Sequence, residues 1–581
     1  MITTEYNIDR TWTRTKLGSV GALPKRRTLE RFDSMSKFLL FLIILIGAAV
    51  RFWKLDYGQP NFYFMDEAFH VYFALNFGGG DLNPHNFVHP TLYYYLCFLA
   101  DVVFILSAKL AGYFKALSDA WALYKENPTV YFVLARGVSA TLGVLTIPMV
   151  YFIGKTLFEN RVGLMAALFL SLSYLHVQYS QVAYVDIALT FFYAAAFYMA
   201  ALAYQSGKMR FFALAGLLAG LTSSTKYTGF AAWIFGPLAA VLFASKNRQP
   251  AFFEFIRPRV WVFLICAVAG FLGASPFILI AYPEFKDYVL QLYSFYKFGG
   301  LGHVGYEGSW NWFYYIFHPL NYGVGAPVAV AGWAGIIYHL IKRNTRDILF
   351  VSFPLVFLLI MGSMEVRTPR YVLAVIPFLC LAAAALVCEM TQLFSGRRKM
   401  NKSVLILLAL LFILPSALNV ARYNYLKLFP DTRLLAHRWV AGNVSKEAKM
   451  LQTLYGFLHR RQGFSKVERL DATAHDSREG HLSSLKSLAD YRQEGFEYLI
   501  LDEWHIGTAL RAPEYRKDRI QISERYVPFL AALEKEAKLL AEFSPYQDQR
   551  KAAFDPENVE FASRSLWDMK TLGPRIRIYK L

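Results

Sequence analysis

Asp66 and Glu67 stand side by side shortly after the first long apolar run, Phe38–Phe52. Two adjacent carboxylates where a chain leaves a bilayer are costly unless they are solvated, paired or used. Facing an aqueous cavity, such an acid can take a proton from an attacking hydroxyl or hold a divalent cation. A capping role for Asp66, on a helix starting at Glu67, explains one acid but not the pair. A further acid, Asp186, stands alone in Tyr179–Ala188, where it can either cap the next helix or share a site with Asp66. Asp66 and Asp186 are also the candidate ligands for a metal ion.

Candidate cations and hydrogen-bonding groups recur at similar boundaries. His89 precedes Pro90 and an apolar Tyr-rich stretch, and Lys226 lies in Thr225–Gly229 between two apolar runs. A lysine there suits a lipid phosphate, or simply extends its stem along the apolar surface. Arg367, Arg370 and Tyr371 follow Glu365 in a short loop, where an anionic partner or an ion pair with Glu365 is expected. His303 and Glu307 fall in the Gly-rich segment 299–309, whose glycines suggest a mobile gate. His89, Lys226, His303, Arg367, Arg370 and Tyr371 are candidate substrate-binding groups, and a metal or substrate role is open to the pair His303 and Glu307.

Long apolar helices must position these residues. Of the 581 residues 56% are hydrophobic, too apolar for a soluble chain of this size. Runs near the length of a bilayer crossing recur from Phe38 to Val420, and from Arg422 onward charged residues become frequent. The expected organisation is a basic cytoplasmic N-terminus (1–36), a polytopic domain (37–421) and an extracytoplasmic α/β domain (422–581). The net charge of +19 would suggest nucleic acid in a soluble protein. Here the basic residues cluster in short loops between apolar runs, as the positive-inside bias requires, so no nucleic-acid partner is expected. Cys97, Cys266, Cys380 and Cys388 all lie in apolar stretches and imply no disulfide framework.

Loop charge orders the spans. Basic loops at 155–161, 205–210, 246–259, 342–346 and 397–402 are assigned to the cytoplasm with the N-terminus. About eleven spans satisfy this: 38–52, 131–154, 162–182, 187–204, 211–226, 229–245, 260–281, 313–340, 348–363, 371–390 and 403–420. The loops carrying Asp66, Asp186, 282–312 and 363–370 then share the outer face with the C-terminal domain. Segment 90–114 is apolar enough to cross, but a single crossing there would invert every later loop. It is therefore assigned to the first outer loop (53–130), as interfacial or re-entrant helices. Breaks at Gly236-Pro237, Ser275-Pro276, His318-Pro319 and Ala326-Pro327 are expected to kink the bundle.

Several motifs resemble a known family. They are Asp66-Glu67, His89-Pro90-Thr91-Leu92-Tyr93, Arg136-Gly137, Asp186, Thr225-Lys226-Tyr227-Thr228-Gly229, and Arg370-Tyr371 running into Pro377. Together they resemble the integral-membrane glycosyltransferases of the GT-C fold, in the branch of protein O-mannosyltransferases and lipid A aminoarabinose transferases. Asp431-Thr432-Arg433 with Ala436, Trp439 and Asn443 is similar to the start of the extracytoplasmic domain in prokaryotic members. The resemblance implies inverting transfer of a sugar from a polyprenyl-phosphate donor to a hydroxyl or similar acceptor on the outer face of a bacterial or archaeal cell membrane. By it, Asp66 is the base or acceptor-orienting acid. Glu67 and Asp186 assist directly or through a cation, and Lys226, Arg370 and Tyr371 hold the donor phosphate. His89 departs from the aminoarabinose transferases, which carry Lys there.

The chemistry agrees with a lipid-phosphate donor. A nucleotide sugar would call for a Gly-rich phosphate fingerprint after a strand, and none is present. In the C-terminal domain, helices are expected over 434–444 and 526–542, with strands at 449–455, 498–502 and 575–579. Two other readings compete: a transporter or flippase of a lipid-linked saccharide, and a non-catalytic subunit on the same fold. The acids lie at the outer edge rather than midspan, and the two halves show no repeat, which favours the transferase.

Overall fold

A computed structural model describes residues 26–61, 63–298, 310–395, 402–453, 464, 466–470, 485–511, 520–548 and 564–581. His303, Glu307, most of the basic N-terminus and the loop at 396–401 lie outside them.

The N-terminal part is a helical bundle. Its helices are α1 (Arg26–Arg51), α2 (Met65–Asn76), α3 (Leu92–Leu110), α4 (Ser118–Glu126), α5 (Thr129–Leu157), α6 (Asn160–Ser171), α7 (Tyr174–Ser180), α8 (Val185–Ser206), α9 (Met209–Thr225), α10 (Phe235–Lys246), α11 (Pro258–Ala274), α12 (Phe277–Ile280), α13 (Tyr282–Phe298), α14 (Asn311–Phe317), α15 (Pro319–Val324), α16 (Ala326–Lys342), α17 (Thr345–Gly362), α18 (Ile376–Ser395) and α19 (Lys402–Leu426). Among the described residues, nine helices are long and apolar enough to cross a membrane. The pair α6–α7 would make a tenth. α8 and α18 are buried on nearly all sides, as central helices without a polar face must be.

The expected spans are helical, with breaks in three of them; span 260–281 is interrupted at Ser275-Pro276, between α11 and α12. Span 162–182 bends by 59° between α6 and α7. The bend frees backbone groups, and each finds a partner, as burial demands. Arg51 donates to the carbonyls of Leu170 (3.0 Å) and Ser171 (2.8 Å). The Ser416 hydroxyl donates to Leu172 O and accepts from Tyr174 N–H, both at 2.9 Å. Span 313–340 is three helices, broken at His318-Pro319 and at Gly325, because proline cannot continue the preceding helix.

Segment 92–110 is one of the nine helices able to cross. Its contacts run antiparallel to the start of α5: Tyr93 Oη bonds Ser139 Oγ at 2.7 Å, and the Phe104 ring meets Tyr131 at 6.0 Å. α3 thus leads away from the level of Ser139 toward the beginning of α5.

After α19, which continues past Val420 to Leu426, come α20 (Thr432–Asn443), β1 (Met450–Gln452), β2 (Val467–Arg469), α21 (Leu488–Gln493), β3 (Tyr498–Asp502), α22 (Glu503–Leu510), α23 (Ile520–Glu536), β4 (Lys538–Phe543) and β5 (Ile576–Lys580). The sheet order is β2-β1-β3-β5-β4, with β1 parallel to β2 and β3, and β5 antiparallel to β3 and β4. Alternate residues face opposite sides. Met450, Ile500 and Ile578 pack with α20, whereas Leu451, Leu499, Leu501 and Tyr579 pack with α21 and α23. The helix expected over 526–542 ends at Glu536, and its apolar tail becomes β4 by pairing with β5.

Candidate active site

Asp66 and Glu67 occupy the first turn of α2, where negative charge suits the helix dipole. Neither is the cap, which is Phe64. Glu67 is fully buried and receives a bidentate pair from Arg136 of α5: Nε to Oε1 at 2.8 Å and Nη2 to Oε2 at 2.7 Å. Oε1 also accepts Ala183 N–H at 2.7 Å. Arg136 Nη1 donates to the carbonyls of Leu55 (2.6 Å) and Tyr57 (2.8 Å). Glu67 therefore anchors α2 to α5 and to the chain entering α8.

Asp66 keeps a side chain 32% exposed and pairs with Arg370 Nη1 at 2.6 Å. Burial pushes this carboxyl up, but the Arg370 charge and hydrogen bond, with His70 and His89, hold it below the usual carboxylate range. One turn on, His70 Nδ1 donates to Ala183 O at 2.6 Å. Ala183 thus ties its N–H to Glu67 and its carbonyl to His70.

Asp186 lies in the first turn of α8, whose cap is Tyr184, so the capping reading fails here too. Its Oδ1 meets Lys226 Nζ at 2.7 Å, with both side chains buried. Lys226 sits at the end of α9, and its ammonium lies 4.4 Å from the Tyr371 ring centroid. The preceding residue, Arg370, stacks on Tyr184 at 4.7 Å. Lys226 sits where α9 gives way to a 3₁₀ segment, 227–234, and Arg370 lies in a 3₁₀ segment, 369–375, that leads into α18. Tyr371 Oη lies 3.3 Å from Tyr296 Oη of α13.

His70 and His89 join the two ion pairs. Their rings stack at 5.7 Å. Asp66, Asp186 and Arg370 act electrostatically on His70, and Lys226, Asp66 and Arg370 on His89. Burial, with Lys226 and His70, holds His89 well below the ordinary imidazole value, so it is neutral at pH 7. Arg367 is buried with its guanidinium 4.1 Å over Tyr314, while Glu365 is exposed. The structure thus brings Asp66, Asp186, His89, Lys226, Arg370 and Tyr371 together.

Residues 97–288 match the family model described as dolichyl-phosphate-mannose-protein mannosyltransferase. No curated protein matches in sequence. The apo oligosaccharyltransferase of Archaeoglobus fulgidus superposes with a TM-score of 0.52 at 13% identity, over 88% of this chain and 73% of that one. The fold is that of the GT-C membrane glycosyltransferases. The same archaeal enzyme in complex with Zn and sulfate gives a TM-score of 0.50 at 13% identity, over 84% and 70%. ArnT from Cupriavidus metallidurans bound to undecaprenyl phosphate gives 0.46 at 11%, over 96% and 98%.

In this GT-C core, one oxygen of each candidate metal-ligating aspartate, Asp66 and Asp186, is paired with a cation. Among the described residues no group of three or more His, Cys, Asp or Glu side chains could hold a metal.

Arg136 and His70 are the groups that sequence reasoning did not single out as site residues. Arg136 left a signal, as the one charge in the apolar span 131–154. His70 left a fainter one, its spacing from Asp66 and Glu67 on one helical face.

Proposed function

We propose that the protein transfers a sugar, with inversion, from a polyprenyl-phosphate donor to a hydroxyl-bearing acceptor at the non-cytoplasmic face of the membrane, with Asp66 as base. The observation that carries this reading is the meeting of two acid–cation pairs, Asp66–Arg370 and Asp186–Lys226, around His70 and His89. The mannosyltransferase family match over 97–288 supports the donor class.

In this reading the acceptor O–H gives its proton to Asp66 as its oxygen attacks the anomeric carbon. The bond from that carbon to the phosphate oxygen breaks, and its electron pair stays on the phosphate. The donor carries one negative charge as a diester, and the departing monoester gains a second. Lys226 and Arg370 therefore stabilise the transition state more than the ground state. Arg370 turning toward phosphate also releases Asp66 from the charge that depresses its basicity. Neutral His89 contributes hydrogen bonding rather than charge.

The test is turnover by purified protein given synthetic polyprenyl-phosphate mannose, with glucose and aminoarabinose counterparts, read as release of polyprenyl phosphate in the presence of acceptor. Asp66→Asn is expected to lower kcat by roughly 10³-fold while binding of the lipid phosphate persists. Full turnover by that variant rejects the base assignment. Lipid flipping across liposomes with no sugar moved would replace the transferase by the transporter reading.

A further inference from the structure

The C-terminal domain reaches the loop that carries Asp66. Asp431 caps α20 and receives both ends of the Arg433 guanidinium, Nε to Oδ1 and Nη2 to Oδ2, each at 2.9 Å. The same Oδ2 accepts the Tyr57 hydroxyl at 3.0 Å. Arg433 Nη1 donates to Tyr63 O at 3.1 Å, and the guanidinium lies 3.8 Å over the Tyr63 ring and 5.2 Å from that of Trp504 in α22. One buried cation thus touches a loop residue on one side and the α/β domain on the other.

Both sides of this junction are closely fitted. Gly58 has φ +81°, and a Cβ there would lie 2.4 Å from the Tyr63 ring, so the turn that sets Tyr57 and Tyr63 toward Asp431 requires glycine. Gly573, at φ +107°, approaches Asp431 so closely that a Cβ would meet Oδ1 at 2.5 Å. From the membrane side, Arg136 holds the carbonyls of Leu55 and Tyr57 in the same loop. Two guanidinium groups therefore grip residues 55–63 from two domains, and Asp66 follows immediately.

Building on the assignment of Asp66 as the base, we infer that Arg433, Asp431 and Tyr57 are positioning residues for that acid, so that the C-terminal domain is part of the catalytic geometry. None of the three touches the proposed reacting atoms. Each acts through the loop that fixes where α2 begins.

Arg433→Lys and the milder Tyr57→Phe, which removes one hydroxyl, test this in the full-length protein. Tyr57→Phe is expected to lower kcat about tenfold with the donor KM unchanged, since small displacements of a reacting group are costly. Amide hydrogen exchange in 55–70 should rise while 185–206 stays protected. In an Asp66→Asn background, Tyr57→Phe should cause no further loss. Wild-type kcat and exchange in both variants, alongside an inactive Asp66→Asn protein, overturns the inference and leaves the proposed function standing. An equal Tyr57→Phe loss in the Asp66→Asn background also overturns it. An active Asp66→Asn protein removes both.

Discussion

Glu67 receives two N–H bonds from Arg136 and one from Ala183, whereas its neighbour Asp66 meets Arg370 and remains partly exposed. Substitution should separate them. Glu67→Gln leaves the Arg136 charge buried without its counter-ion and is expected to destabilise the bundle by about 3–5 kcal/mol. Thermal unfolding in detergent would show a clear drop for Glu67→Gln and a small one for Asp66→Asn. His89 supplies a second contrast. Its ring is neutral at pH 7, so His89→Gln should keep turnover within about threefold of wild type from pH 6.5 to 8, far less than the loss of an acid–base group. A pH–rate profile with a tenfold deficit at the low end would show that the charged imidazole matters. The sequence displayed the acids and cations but not their pairings. Adjacent helical residues point about 100° apart, so the spacing of Asp66 and Glu67 could not say which acid faced Arg136.

At the level of elements, the apolar runs announced nearly every helix, because lipid-facing and core-facing residues alike must be hydrophobic. Breaks were less legible. Pro319 marked one, but the α6–α7 bend has no proline and depends on partners distant in sequence, Arg51 and Ser416. The failure of 526–542 as a single helix has a similar cause, since pairing with β5 overrides local periodicity in the last residues. For α3, loop charge predicts that both ends lie on one side of the membrane, because a single crossing would invert every later loop. Leu110→Cys, in a background without other cysteines, should react with a membrane-impermeant maleimide from the same side as Asp81→Cys. Labelling from opposite sides would make 92–110 a true crossing and invert every later loop.

Across the whole molecule, the proposed site is assembled from five separate stretches, residues 66–70, 89, 184–186, 226 and 370–371, so it exists only in the folded bundle. This gives its stability a pH dependence. His70 and His89 both titrate below the ordinary imidazole value, chiefly through burial. On acidification the unfolded chain takes up these protons before the folded one does. Stability is therefore expected to be constant above about pH 7 and to fall as the pH drops below about 6.5. Unfolding midpoints across that range should lose part of their slope in a His70→Gln, His89→Gln double variant.

Arg51 ends the first span and finds four acceptors, Gly47 O, Leu170 O, Ser171 O and His176 Nδ1, three of them on segments made more than a hundred residues later. While the chain is being synthesised, that guanidinium has only its own helix and the headgroups to rest against. The seat of the first helix is therefore complete only when α6 and α7 are in place, with the bent hairpin closing over the oldest segment.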